Sequence, residues 1–99
     1  METIHQYVRD NKGRKVGILV GRLSKITHET GKIKIGWSRV NRNAGDKFDR
    51  EFGMELALKR TAARQMVKCP QSMEYDVFRF AKRCKRYFKS GVLNMGLRD

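Results

Sequence analysis

Hydrophobic and polar residues alternate along three stretches of the N-terminal part of the chain, and each alternation predicts a strand. In residues 3–9, Ile4, Gln6 and Val8 point one way and His5, Tyr7 and Arg9 the other. Asp10-Asn11-Lys12-Gly13 follows, a turn whose Asn and Gly tolerate positive φ. Residues 15–23 place Val16, Ile18 and Val20 on one face, and Lys15, Gly17, Leu19 and Gly21 on the other. Glycine weakens a strand interior, so Gly17 and Gly21 mark bends or places where something packs close. Residues 24–31, SKITHETG, read as a loop. Residues 32–40 give the clearest strand, with Ile33, Ile35 and Trp37 inward and Lys32, Lys34, Gly36 and Ser38 outward. Strand, turn, strand, loop, strand is an antiparallel meander, here spanning residues 3–40.

The period then changes from two to about 3.6. Past a turn-rich link, NRNAG, a long helix is predicted over residues 46–68, capped by Asp46. Asp49 and Glu51 stand near the positive end of its dipole, and Lys59, Arg60, Arg64 and Lys68 near the negative end. Phe48, Phe52, Leu56, Ala63 and Val67 make its apolar stripe. Gly53 inside it costs about 1 kcal/mol relative to alanine, which points to close approach to a strand, with Trp37 as the expected neighbour, or to a kink. Lys68-Cys69-Pro70 ends this helix. Ser72 caps a second helix over residues 72–89, whose stripe is Met73, Val77, Phe80, Ala81, Cys84 and Phe88; Ser90-Gly91 stops it. The tail, residues 91–99, carries no readable pattern. The fold class is therefore α+β: a three-stranded antiparallel β-meander with two C-terminal α-helices packed on one face. Its expected core is Val16, Ile18, Val20, Ile33, Ile35, Trp37, Phe48, Phe52, Leu56, Val77, Phe80 and Phe88. The other face of the sheet is left with His5, Tyr7, Arg9, Lys15, Lys32 and Lys34.

Length and charge sharpen this picture. Ninety-nine residues make one domain. Twenty-three Lys and Arg against ten Asp and Glu leave a net charge of +13 and a pI near 10.4. The excess is +7 in residues 1–45 and +6 in residues 46–99, so it is not a basic tail on a neutral body. Solubility is served by smaller charges, and a folded domain that repels itself this strongly fits a polyanionic partner.

The densest run is Arg79 to Lys89, with six basic residues in eleven and no acid. Its cations fall on the helix face away from the apolar stripe. Like-charge neighbours three or four residues apart cost the isolated helix on the order of 1.5 to 3.5 kcal/mol. Phosphates relieve that repulsion and release counterions; an ordinary solvated basic face is the plainer alternative. The candidate phosphate contacts are Arg79, Lys82, Arg83, Lys85, Arg86 and Lys89, with Lys32 and Lys34 as auxiliaries. Tyr75 and Phe78 project among these cations, where they stack on unpaired bases or pack against a neighbouring helix or the tail. Tyr7 carries the same two readings.

Catalysis finds little support. His5 and His28 have no partner base or nucleophile, and two cysteines, Cys69 and Cys84, form neither a disulfide framework nor a metal-ligand spacing. Asp46, Asp49 and Glu51 are accounted for by capping and by the helix dipole. Walker loop, dinucleotide fingerprint and nucleophile elbow are absent. The expectation is a protein that is not an enzyme, with no cofactor, no metal and no membrane segment, holding reduced thiols in the cytoplasm.

One resemblance rests on motif order. The hairpin YVRDNKGRKVGILV, a strand ending in GWS and a helix opening DKFDREFGMELALKR resemble a group of small proteins encoded by tailed bacteriophages. In that group an aromatic strand is followed by D-x-F, a glycine five residues beyond the Phe, an Ala and an Arg; the matching positions here are Asp46, Phe48, Gly53, Ala57 and Arg60. The resemblance covers residues 4–64 and implies a phage product acting in the host bacterial cytoplasm, with no activity attached. The basic second helix lies outside it. Two functions remain open at this point: a nucleic-acid binder, for DNA or RNA, of weak sequence specificity, and a phage-encoded modulator that docks on an acidic host protein.

Overall fold

The computed structural model describes residues 2–24, 32–40, 47–61, 69–88 and 92–94. Strands β1 (Glu2–Arg9), β2 (Lys15–Ser24) and β3 (Lys32–Arg39) are followed by helix α1 (Arg50–Thr61). A 3₁₀ turn (Gln71–Met73), helix α2 (Glu74–Phe88) and a short strand β4 (Val92–Asn94) complete the chain order. This is the α+β class expected from the sequence, an antiparallel three-stranded meander with two helices after it.

The β1–β2 turn is fixed by Asp10. Its Oδ1 accepts hydrogen bonds from the amides of Lys12 and Arg14, both at 2.9 Å. Its Oδ2 takes the Arg14 Nε–H at 2.9 Å. These bonds, the Arg14 amide foremost, hold the Asp10 carboxyl below its ordinary pKa. Gly13 takes φ +78°, the left-handed conformation that closes the turn at no steric cost. The pairing shifts between Val8 and Arg9, so Val16 is an additional residue at a bulge. Beyond the bulge, β2 and β3 pair in unbroken register from Gly17↔Arg39 to Ser24↔Lys32.

That register decides the layering. Gly21 pairs with Ile35 and Leu19 with Trp37, whereas Val20 pairs with Gly36 and Ile18 with Ser38. Ile33, Ile35 and Trp37 therefore share a face with Leu19, Gly21 and Leu23, and not with Ile18 and Val20. Both faces are apolar, and each has its own helix. On one, Ile18 and Val20 pack with Ala57 of α1, flanked by Tyr7, Phe48, Met54 and Leu58. On the other, Ile4, Leu19, Leu23, Ile33 and Ile35 pack with Val77, Phe80, Cys84 and Phe88 of α2. A Cβ at Gly36 would meet the carbonyl of Ala57, and one at Gly21 would meet the Sγ of Cys84. Adjacent strand residues face opposite ways, so those two collisions, one with each helix, lie on opposite sides of the sheet.

The expectation that both helices cover one face is thus corrected: the molecule is layered helix, sheet, helix. The cause is Leu19 and Leu23, two large apolar residues on the face of β2 assigned to solvent, with Gly17 and Gly21 leaving space beside them. Lys34, His5 and Tyr7 lie in register with Arg22, Val20 and Ile18, on the α1 side.

The α1 contact is also rotated from the predicted stripe. Its buried residues are Gly53, Ala57 and Thr61, a seam of small side chains, while Phe52 is 65% exposed and Leu56 half-buried. Small residues win because Gly36 lets the helix backbone lie directly on β3, a closer approach than a phenylalanine spacer allows. Gly53 does approach a strand, with Ser38 Oγ 3.0 Å and Ile18 Cδ1 3.3 Å from its would-be Cβ, rather than at Trp37. The capping carboxylate is Asp49, whose Oδ1 accepts the Phe52 amide at 3.1 Å. Asp46, Ala63 and Val67 lie outside the described residues. Ser72, expected as a helix cap, accepts a hydrogen bond from Arg39 Nη1 and sits in the 3₁₀ turn ahead of α2. The tail supplies an unforeseen fourth strand: β4 pairs in parallel with β3, Lys32↔Val92 to Lys34↔Asn94.

Candidate nucleic-acid interface

Helix α2 is held to the sheet by Val77, Phe80, Ala81, Cys84 and Phe88, which recur at short helical steps and are all buried. Its acids, Glu74 and Asp76, fall in the first turn, and Lys85 and Arg86 in the last, each sign where the helix dipole favours it. Burying one side fixes what the other presents. Arg79, Lys82, Arg83, Lys85 and Arg86 are exposed, as are Tyr75 and Phe78 at 70% and 51%. Among the described residues none of these five cations forms an ion pair with a carboxylate.

The cations are not equivalent. Arg83 turns toward the sheet, where its Nη1–H donates to the Gln6 side-chain oxygen at 3.1 Å and to the His5 carbonyl at 3.3 Å. It clips α2 to the edge strand β1 and has less to offer a ligand. Arg79, Lys82, Lys85 and Arg86 remain as the outward set. Lys82 Nζ stands 4.7 Å from the centre of the Phe78 ring, and the Arg79 guanidinium 5.7 Å from that of Tyr75. Tyr75 and Phe78 are thus each paired with a cation on the same surface.

Of the auxiliary lysines, Lys34 does not join this surface. Lys34 is half-buried and lies by register on the α1 side of the sheet. The Lys32 side chain and Lys89 lie outside the described residues. Tyr7 is engaged internally: its hydroxyl accepts from Arg50 Nε at 2.8 Å, Lys15 Nζ sits 4.2 Å above its ring, and Phe48 and His5 meet it edge-on. Trp37 is likewise covered, with the Arg60 guanidinium 3.8 Å over its ring and Arg60 Nη1 donating to its carbonyl at 2.7 Å. Burial there lowers the Arg60 pKa. Tyr87, outside the residues expected from the sequence, is 54% exposed and edge-on to Phe88, on the flank of α2. A helical wheel leaves it outside the buried stripe, and that was the available signal.

A cleft of about 550 Å³ opens at the first turn of α2, lined by Arg9, Arg39, Trp37, Met73 and others. Its arginines are already used, Arg9 on the Gly13 carbonyl at 2.8 Å and Arg39 on Ser72, and Asp10 and Asp76 are in its wall. It suits an anion poorly. Among the described residues, the outer face of α2 gathers the most exposed cations without a carboxylate partner. No protein-family model, no curated protein and no solved structure matches the chain. No helix among the described residues is long and apolar enough to cross a membrane.

Proposed function

We propose that the protein binds nucleic acid through the outward face of α2, by contacts to the phosphate backbone that carry weak sequence specificity. The observation that carries this reading is the set Arg79, Lys82, Lys85 and Arg86, exposed on one helix face with no carboxylate partner among the described residues. A row of like charges on a short helix is unfavourable alone, and phosphates reverse the sign of that cost while releasing counterions. Backbone contacts position a protein without reading bases.

The test is affinity for a mixed-sequence oligonucleotide as a function of salt. Log K falls steeply with log salt, and Lys82→Gln with Arg86→Gln flattens the slope by about one for each phosphate-binding cation removed. A slope untouched by these substitutions contradicts the assignment.

A second reading is favoured by a different feature. Phe52 borders a groove of about 370 Å³ whose lining includes Val16, Val40, Phe48 and Leu56, an apolar setting that a protein partner fills and a phosphate backbone does not. On that reading the chain is a phage-encoded modulator docking on an acidic host protein, steered by the same cations. Capture from a bacterial lysate with and without nuclease separates the two: a single stoichiometric protein that survives nuclease supports docking.

A further inference from the structure

We infer that the preferred ligand of the α2 face is an unpaired strand, with Tyr75 and Phe78 as a base-stacking pair beside the phosphate-binding cations. This rests on the nucleic-acid reading above and deepens it.

Tyr75 and Phe78 are three residues apart, which puts them side by side on one helix face. They are 70% and 51% exposed, on a helix whose buried side already holds Phe80 and Phe88. The packing alternative, contact with a neighbouring helix, fails for α1, which lies across the sheet. Exposed aromatic rings cost solvation that a purely phosphate-binding surface has no reason to accept, since phosphates need cations alone.

The surroundings of the rings select the ligand. Lys82 is 4.7 Å from the Phe78 ring centre and Arg79 is 5.7 Å from that of Tyr75, so a base lying on either ring has its own phosphate within reach of a cation. Bases in a duplex have their faces covered by neighbouring base pairs, and only an unpaired strand offers them. Stacking tolerates any base, which agrees with weak specificity. The other aromatics with a cation overhead, Tyr7 and Trp37, are half-buried and tied into the fold; Tyr75 and Phe78 are the exposed ones.

The experiment compares the full chain, wild type and Tyr75→Leu/Phe78→Leu, on a fluorescent single-stranded oligonucleotide and on a blunt-ended, loop-free duplex of matched charge, by anisotropy across a salt series. Leucine keeps helix propensity, and circular dichroism of both proteins verifies the fold. The wild type binds the single strand about tenfold or more tightly than the duplex. The double variant loses that preference, about tenfold or more on the single strand, while its duplex affinity moves by less than about threefold and its salt slope is unchanged. Tyr75→Phe, which keeps a ring, retains the wild-type preference. Equal wild-type affinity for the two forms, or a double variant equally weakened on both, overturns the stacking assignment and leaves the phosphate reading standing. Absence of binding to either form at low salt overturns both.

Discussion

The Cys84 thiol shares the buried side of α2 with Phe80 and Phe88, directly beneath Gly21. Burial penalises the thiolate and pushes its pKa up to about 12, against which the nearby Arg83 charge pulls only weakly. The unfolded chain loses this proton near 9.0 and the folded one near 12, so stability is intact below that window and falls as pH rises through it. We predict that iodoacetamide at mildly alkaline pH leaves Cys84 unmodified in the folded protein and alkylates it in denaturant, as read by mass spectrometry. Rapid modification of the folded protein at Cys84 contradicts this burial. One position earlier, Arg83 has a different fate from Lys82 and Arg86 although all three are cations in one run. Its guanidinium reaches Gln6 and His5, a long-range contact that no local pattern encodes.

At the scale of elements, glycines set how closely each helix lies on the sheet. The Cβ of an alanine at 36 would meet backbone, the Ala57 carbonyl, and the Thr61 methyl 2.9 Å away. At position 21 it would meet the Cys84 side chain first. Backbone yields less than a side chain. We predict that Gly36→Ala destabilises by about 2 to 3 kcal/mol and Gly21→Ala by about 1 kcal/mol, measured as shifts in the urea midpoint at constant slope. Equal costs would mean that α1 does not press on β3 as described. These contacts also show what the sequence revealed. The three meander strands, the two helices and the buried stripe of α2 are legible because each is a local period. The side of the sheet that each helix takes depends on the β2–β3 register and on Leu19 and Leu23, which become informative only once strands are paired. The seam of α1 was obscured because Phe48, Phe52 and Leu56 outweigh Gly53, Ala57 and Thr61 in any hydrophobicity pattern, although the small residues permit the tighter contact. β4 is three residues long and stabilised by its neighbour rather than by its own composition.

For the molecule as a whole, the layering makes the two outer surfaces unlike. The outer side of α1 mixes signs: Glu51, Glu55, Arg50 and Lys59 are all exposed, and Lys59 Nζ lies 3.7 Å from Glu55 Oε1. The outer side of α2 carries cations and aromatics, its acids confined to the first turn. A net charge of +13 is thus unevenly usable, and a polyanion meets one face more favourably than the other. In the sequence the cationic run and the exposed Tyr75 and Phe78 were readable from the helical period alone. That Lys34 faces the α1 side and that Tyr7 is tied to Arg50 were not, because both depend on tertiary placement. Backbone amide chemical shifts, followed during titration with a mixed-sequence oligonucleotide at low salt, test this asymmetry most directly. The largest changes are expected on the outward residues of α2 between Tyr75 and Arg86, with α1 left nearly unmoved. Changes centred on α1, or spread evenly over both helices, would contradict it.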